Sequence, residues 1–599
     1  MEILNMDFEK QSIGTEDFAE HIKTKKIYID KTSYLPELYG EKVHPNGMRY
    51  EDKVLLITRP RRFGKSLTMS MIKNFFELNY TNPEDKTKQK ELFRNLAISK
   101  DIDFCDRYMG EYPVVLFSLR GIGGKTYEKA LQKFLQWIGD LYRTFKPIFE
   151  NSDKQYEEDM KFFNEVLDLS NSTKLVLSDD DVKTNIENAI ITSLYKLTAM
   201  LNNQYGKKTI VIIDEYDVPL QKASLCGYYD DMLDVVRGMF EKVFKTNEFL
   251  EKGIVTGCLR ISHESIFTGI NNFSIYTVND EGFNKFIGFT HDETVQLLKE
   301  NKLLSRQDEV MSWYDGYNFA GAKMLCPWSV LKFCEGAGAS SNPQTFAPQN
   351  YWINTSGNDI IKICITKPNA KDSMRLQNLL DDNTEIVKPT DFTAYPEINY
   401  KTGFDVMMGM MIHTGYLTVL NIDEKGNMEV KIPNNEIKDS FRKNIEAIYC
   451  DDNITWFEKV NALKAALFKN DKDEVQNLIN ELLINFVSVR NTAQESYYHG
   501  FLSGVLSLTV NAPEEIKSDM ESGKGFSDLR LISDLKKNVI IIEFKKIDKG
   551  ESIEDVCAEA LKQIEEKQYA YPYEQKNYRI FKYGIGFFGK ECWVAVPKN

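Results

Sequence analysis

Short apolar runs bounded by polar turns recur through the first 290 residues: Val54 to Thr58, Val114 to Leu119, Thr209 to Asp214 and Gly253 to Gly257. Each has the length of a strand, and long helix-competent stretches separate them, which predicts a largely parallel sheet covered on both faces. Residues Asn151 to Lys183 break the rhythm. They are charge-rich, carry Ser-Asn-Ser and Ser-Asp-Asp-Asp, and predict an insertion or a mobile helical excursion. From Phe289 to about Tyr317 the pattern turns helical, and the Gly/Ala/Ser/Pro-rich residues 335–348 predict a long connection with a domain edge nearby. Residues 350–490 read as mixed and mostly helical, with a hairpin where Gly415 to Ile422 and Met428 to Ile432 flank Glu424-Lys425-Gly426-Asn427. From Ala493 onward the order is helix, strand, turn, very apolar strand, helix, strand, a compact αβ unit of about 105 residues.

Composition narrows the class without naming the chemistry. At 599 residues the chain is several domains long, and 42% hydrophobic with 27% charged residues excludes collagen, long disorder and a disulfide scaffold. A net charge of -14 excludes a global basic field, so any nucleic-acid site must be a local patch. The nine cysteines are scattered, with no C-x-x-C pair and no zinc spacing, and read as reduced, mostly buried thiols. Met1 is followed by Glu2, Asp7 and Glu9, and the longest apolar runs fall far below spanning length, so the expected compartment is cytoplasmic with no membrane partner.

Residues 54–66 read VLLITRPRRFGKS and run into a helical LTMSMIKNFFEL. A buried strand, a loop, and then Gly64-Lys65-Ser66 opening a helix points backbone N–H groups at an anion. It also lets a lysine reach β- and γ-phosphates while the Ser66 hydroxyl holds magnesium. The G-x-x-x-x-G-K-[ST] template asks for glycine at 59, where this chain has Arg59, followed by Pro60, Arg61 and Arg62. A glycine adopts conformations that an arginine resists, which counts against phosphate wrapping, although the three arginines, Arg59, Arg61 and Arg62, supply compensating positive charge. A basic loop that merely caps a helix satisfies the same letters.

The partner motif follows in chain order, TIVIIDEYDV, an apolar strand ending in Asp214-Glu215. At the carboxyl end of a parallel strand Asp214 can hold the magnesium shell while Glu215 acts as base toward the attacking water. An acidic pair after a strand also serves as a helix cap. A third strand, GIVTGCLRIS, places Thr256 for the γ-phosphate or the water and Arg260 as a finger across a subunit boundary, which implies a homo-oligomer; an ordinary salt-bridged arginine fits Arg260 as well.

Near the carboxyl end stands ESGKGFSDLRLISDLKKNVIIIEFKK. Asp528 begins a strand, and after a turn at Asp534 to Asn538 the strand Val539 to Phe544 delivers Glu543 and Lys545 to one face, with Phe544 behind them. Asp528 and Glu543 can chelate magnesium, or manganese in its place, and Lys545 can position or deprotonate a water attacking phosphorus. The spacing is D-x14-E-x-K. A charge at the end of so apolar a strand needs a reason, although alternating charges also make an ordinary solvated face. The upstream helix QESYYHGFLSGVLSL offers Glu495 to the metal shell, and the downstream CAEALKQIEEKQYA carries Gln563, counted with the catalytic set, and Tyr569; His499 reads as a packing residue. Lys524, Arg530, Lys536, Lys537, Lys545, Lys546 and Lys549 form a local basic patch suited to phosphate backbones, or a solvated hairpin rim.

With both motifs in view the chain resembles the bacterial AAA-ATPase-like proteins that carry a PD-(D/E)XK nuclease-superfamily domain at the carboxyl end. The segments that carry the resemblance include IGTEDFAEHIKTKKIYIDKTSYLPEL, LLITRPRRFGKSLTMSMIKNFF, VIIDEYDVPL, WYDGYNF, YWINTSGN, ESYYHGFLSGVL, IIEFKK and ALKQIEEKQYA, and they span nearly the whole chain. The resemblance implies an α/β fold: a P-loop NTPase parallel sheet (1–290), a helical lid and connector (291–490), and a restriction-endonuclease-like αβ domain (491–599). It implies ATP and Mg2+ as cofactors and nucleic acid, DNA before RNA, as partner. Arg59 is in keeping with the family, whereas Phe526-Ser527 before Asp528 departs from it. The recurring Tyr28, Asp30, Lys31 and Thr32 read as a cap on the helix holding Leu35 and Leu38, with contact to the adenine side as the alternative. The rival from another class is a nucleotide-switch signalling or scaffold ATPase whose carboxyl domain binds nucleic acid or a partner without cutting.

Overall fold

The computed structural model describes residues 15–24, 27–41, 52–150, 157–172, 179–259, 272–352, 375–388 except 377, 404–450, 454–486 and most of 514–597, together with Tyr498, Leu502, Val505 and Leu506. Two compact units separate: Met1–Asn354 with Val387–Ile437, and Thr355–Ile386 with Lys438–Asn599.

The first unit is built on five strands, β1 (Val54–Thr58), β2 (Val114–Ser118), β3 (Thr209–Asp214), β4 (Leu250–Gly257) and β5 (Phe273–Tyr276), in the order β2-β3-β4-β1-β5. Every neighbouring pair is parallel. All residues of β1 and β3 are buried, as their unbroken apolar runs require, because helices cover both faces of such a sheet. The order puts β4 between β1 and β3, so the carboxyl ends of the two motif strands open beside the end of β4. Within the excursion at 151–183, the described helix Glu157–Asn171 is packed: it buries Phe163 against Tyr142 of helix Tyr127–Glu150, ring centroids 4.6 Å apart.

Asp30 does not cap the helix Leu35–Leu38, whose cap position is Tyr34. One of its oxygens accepts from the backbone N–H and hydroxyl of Thr32 and the other from the N–H of Ala97, 2.6 Å away. Lys31 forms a buried ion pair of 2.8 Å with Glu293, at the start of helix His291–Glu300. The motif stitches the amino-terminal segment to the rest of the unit.

Short strands β6 (Phe289–Thr290), β7 (Tyr317–Phe319) and β8 (Ala322–Leu325) form a small antiparallel sheet. The predicted connection at 335–348 is partly helical, since helix Pro327–Ala339 runs into it. A short strand, β9, spans Glu385–Val387. The hairpin forms as expected from β10 (Thr418–Ile422) and β11 (Met428–Lys431).

The second unit carries a mixed sheet of β12 (Glu514–Ser522), β13 (Gly525–Ser533), β14 (Asn538–Lys546), β15 (Arg579–Phe588) and β16 (Glu591–Ala595) in sequential order. β13 and β14 are antiparallel, and β14 and β15 are parallel, joined by the crossover helix Ile553–Glu566. Alternation sorts the side chains. Leu529, Leu531, Ile540, Ile542 and Phe544 face the core formed with Leu463, Leu467, Leu482 and Tyr498, whereas Ile532, Val539 and Ile541 face Ile564 and Tyr569. Gly584 lets the crossover helix lie close, because a Cβ there would stand 2.5 Å from the Cys557 carbonyl oxygen. Among the described residues no helix is long and apolar enough to cross a membrane, and cysteines 105, 226, 258, 326, 334, 557 and 592 are free thiols.

Candidate functional site

The loop after β1 enters its helix through a left-handed glycine. Gly64 has φ of 95° and caps helix Lys65–Phe76; a Cβ there would meet nothing within 4 Å, so the demand for glycine is conformational. Phe63 anchors the loop, buried edge-on against Tyr317 with centroids 5.1 Å apart.

Arg59 leaves the loop altogether. Its side chain is 0% exposed and donates from Nη1 to the carbonyls of Thr58 and Thr277 and from Nη2 to that of Phe283, at 2.7, 3.0 and 2.7 Å. Burial draws its pKa down to about 10, so it stays charged at neutral pH. The residue that breaks the template thus braces the segment after β5. Arg59→Gly, which restores the template, is expected to leave these carbonyls unpaired and to destabilise the first unit by roughly 3 kcal/mol or more without raising nucleotide affinity. Thermal unfolding and nucleotide titration of the variant check this; a variant that is as stable and binds more tightly refutes it.

Lys65 is 6% exposed, and its ammonium donates to the carbonyls of Arg59 and Pro60, each at 3.0 Å, and to Cys258 Sγ at 3.3 Å. Ser66 Oγ donates to Asp214 Oδ2 at 2.7 Å, which brings together the two motifs 148 residues apart. Asp214 Oδ1 is buried and has no hydrogen-bond partner. A hydroxyl beside a carboxylate with one oxygen left over is the donor set that magnesium takes, so these residues fit the ion. Burial raises the pKa of Asp214, opposed by Ser66 and Lys65. Glu215 stands at φ of 53°, and burial with the Asp214 charge raises its pKa, which moves it toward the range of a general base.

The remaining sequence-derived residues divide. Arg61 donates to Gln221 at 2.9 Å, whereas Arg62 donates to the Tyr351 carbonyl and stacks 4.6 Å over the Trp328 ring, so the two arginines are held on different partners. Thr256 is fully buried and its hydroxyl donates to the Ile57 carbonyl at 2.8 Å, which spends on the sheet the group read for the γ-phosphate. Arg260 lies outside the described residues. One residue escaped the sequence reading: Arg120, just beyond β2, whose charge is felt by Glu215 and Asp214 and is paired with Glu16. Its signal was its place two residues past Ser118, the register partner of Asp214.

In the second unit the D-x14-E-x-K residues converge. The ladder pairs Leu529 with Ile542, so Asp528 and Glu543 lie on adjacent strands of one face. Asp528 Oδ2 accepts from the Phe544 N–H at 2.7 Å, and Glu543 Oε2 accepts from the Asp528 N–H at 3.5 Å. Glu543 is 1% exposed and Lys545 half-buried. Gln563 donates to Glu543 Oε1 and lies 3.4 Å from the Tyr569 hydroxyl. The charges of Glu543 and Asp528 add to burial in raising the Tyr569 pKa, as its closeness to both requires. Among the described residues no group of three metal-ligating side chains forms; the third ligand read from the sequence, Glu495, lies outside them, as do His499, Lys524 and Lys549. Two carboxylates of fixed orientation fit a divalent ion that takes its other ligands from water and substrate.

Asp528 sits inside β13 rather than opening it, because residues 525–527 already pair with β12. The described residues of the basic patch have different surroundings. Arg530 is buried, Lys537 lies 4.7 Å over the Tyr578 ring, and Lys546 pairs with Asp548.

A P-loop-type parallel sheet followed by a carboxylate-lysine mixed sheet defines a class, and comparison with known families agrees. Residues 12–267 match the family described as "Predicted AAA-ATPase", and residues 493–596 match the PD-(D/E)XK nuclease superfamily. The chain carries an AAA-ATPase-like domain and, toward its carboxyl end, a PD-(D/E)XK nuclease-superfamily domain. Among curated proteins it is similar, at 21% identity over 592 residues and 97% of either chain, to one from Azotobacter chroococcum mcd 1 described as "Uncharacterized protein in vnfD 5'region". Domains of these two kinds generally use a nucleotide and a divalent metal ion.

Proposed function

We propose that the protein binds and hydrolyses ATP in its first domain and cleaves nucleic-acid phosphodiester bonds in its last, acting in the cytoplasm on DNA before RNA. The division is 1–290 for the ATPase, 291–490 for the lid and connector, and 491–599 for the nuclease. The connector's last helices, Ile454–Lys469 and Lys472–Phe486, support the nuclease sheet, with Leu463, Leu467 and Leu482 packed into its core.

The observation that carries the reading is Glu543, a carboxylate buried in an apolar strand beside Asp528. Burying it costs free energy that packing alone does not return, and such costs are kept where a site uses the group. Asp528 and Glu543 would hold a magnesium or manganese ion, which polarises the phosphoryl oxygen. Lys545, on the face of Glu543, holds the attacking water and, as the neutral amine, takes its proton to become the ammonium, while Gln563 fixes the orientation of Glu543. In the first domain Ser66 and Asp214 would hold magnesium, which would offset phosphate charge, Lys65 neutralises charge on the β- and γ-phosphates, and Glu215 orients the water. Arg260 acts in trans, in a homo-oligomer.

The test uses the full-length protein with DNA and RNA, magnesium, and ATP present or absent. Cleavage is expected to require the metal and to change several-fold with ATP, because nucleotide occupancy shifts the population of cleaving conformers. A second reading, a nucleotide switch whose carboxyl domain binds without cutting, draws on the Gln563 amide that occupies one Glu543 oxygen. Metal titration separates the two: a binding domain shows no magnesium affinity that depends on Asp528.

A further inference from the structure

Arg530 is the buried cation that the proposed chemistry leaves over. It lies two residues beyond Asp528 on β13, opposite Ile541, and shares the face that carries Asp528, Glu543 and Lys545. It is 4% exposed. Its Nη1 donates to the Tyr573 hydroxyl at 3.1 Å, and its guanidinium carbon stands 5.9 Å from the Tyr573 ring centroid. Nε and Nη2 are buried and have no hydrogen-bond partner.

An arginine cannot shed its proton to escape burial, so two orphaned donors on a fixed charge are costly unless something repays them. Their arrangement states what that is. Nε and Nη2 form one edge of the planar guanidinium, the edge that takes two oxygens of a single anion side by side, whereas Nη1, the corner outside that edge, is the one Tyr573 engages. On the nuclease reading given above, on which this rests, the anion arriving at that face is the sugar-phosphate backbone. We infer that Arg530 is a phosphate-anchoring residue: its Nε–Nη2 edge grips a phosphodiester of the substrate strand flanking the bond that is cut, and Tyr573 holds the guanidinium in register. The anchor lies along β13 from Asp528, and Lys545 lies along β14 from Glu543 in the opposite direction. The carboxylates therefore stand between two cations, and a strand that contacts both must pass over the metal site.

The experiment uses the full-length protein, fluorescently labelled DNA and RNA oligonucleotides, and binding measured by anisotropy in EDTA, so that neither metal nor cleavage enters the readout. Arg530→Met is expected to weaken binding about 10- to 100-fold, the loss of a charge-assisted pair. Arg530→Lys restores part of it through charge without the fork, and Tyr573→Phe costs a few-fold. Oligonucleotides with one neutral methylphosphonate test the same contact without altering the protein. One flanking position is expected to weaken binding to the wild type and to leave Arg530→Met unaffected. Equal affinity of wild type and Arg530→Met, or a methylphosphonate series that is flat at every position, overturns the anchor. If that happens while Glu543→Ala has lost cleavage, the nuclease reading stands without it. If Arg530→Met loses binding but wild type cuts neither nucleic acid in magnesium or manganese, the anchor stands and the cutting fails.

Discussion

Glu543→Ala and Lys545→Ala, each in the full-length protein, are expected to lower metal-dependent cleavage on the order of 10³-fold while leaving the fold intact. The two act on different parts of the reaction. Glu543 and Asp528 are the oxygen donors for the ion, and Asp528 is held by the Phe544 N–H, so losing one carboxylate removes half of a site that cannot re-form from neighbouring side chains. Lys545 stands one pleat further on, and its loss removes proton transfer, typically worth about 10²- to 10⁴-fold. Stability is the control. Glu543 is a charge in an apolar strand, so its removal is expected to leave the unfolding temperature of the second unit unchanged or higher, as when a functional residue has been kept at the expense of the fold. A drop in cleavage with a matching collapse of unfolding temperature would mean that these residues support the sheet and nothing more. Cleavage unchanged in both variants would falsify the nuclease assignment outright.

Lys65→Ala is expected to weaken ATP binding at least ~10-fold and to reduce hydrolysis by about 10² or more, since a charge-assisted contact to the phosphates goes and the transition-state charge goes unneutralised. The structure adds a second consequence. Lys65 clasps the carbonyls of Arg59 and Pro60 across its own loop, so its loss also frees the loop ends, and the melting temperature without nucleotide is expected to fall by a few degrees. Asp214→Asn separates the ion from the phosphates: nucleotide affinity in EDTA is expected to persist, whereas its enhancement by magnesium disappears. Isothermal titration of the two variants with ATP, each with and without magnesium, reads both effects. If Asp214→Asn keeps the full magnesium enhancement, the oxygen left unpartnered at Asp214 is not an ion site.

Much of the site was legible because the chemistry is local. Gly64-Lys65-Ser66 needs one left-handed residue before a helix, and Asp214-Glu215 needs only the end of a buried strand. Glu543 and Lys545 share a face because a strand repeats every two residues, and the apolar run around them betrayed a charge placed against its surroundings. Arg59 shows where such reading fails. As a letter it is a fault in a glycine template, and its actual partners, Thr277 and Phe283, lie more than 200 positions away. Arg530 failed in the opposite sense: counted among surface lysines, it is buried against Tyr573, 43 residues downstream. Strand β12, EEIKSDMES, was missed because it lies at the edge of the sheet, where pairing on one side imposes no apolar alternation on the sequence. The strand after Phe588 was merged with its neighbour, because a short turn leaves little mark in the hydrophobic pattern.

Local pattern sets the inventory: parallel strands in the first part, a P-loop glycine and lysine, an acidic strand end, and two carboxylates with a lysine on a later sheet. These follow from periodicities of two and 3.6 residues and from backbone requirements that act within a dozen positions. Partnerships came from the folded chain: Ser66 meets Asp214, Thr256 spends its hydroxyl inside the sheet, and Arg59 braces a distant loop while Arg530 keeps two buried, unpartnered donors. The physical reason is that a long polar side chain is placed by whichever buried donors and acceptors it must satisfy. Those partners come from segments that only the closed sheet brings within 3 Å of one another.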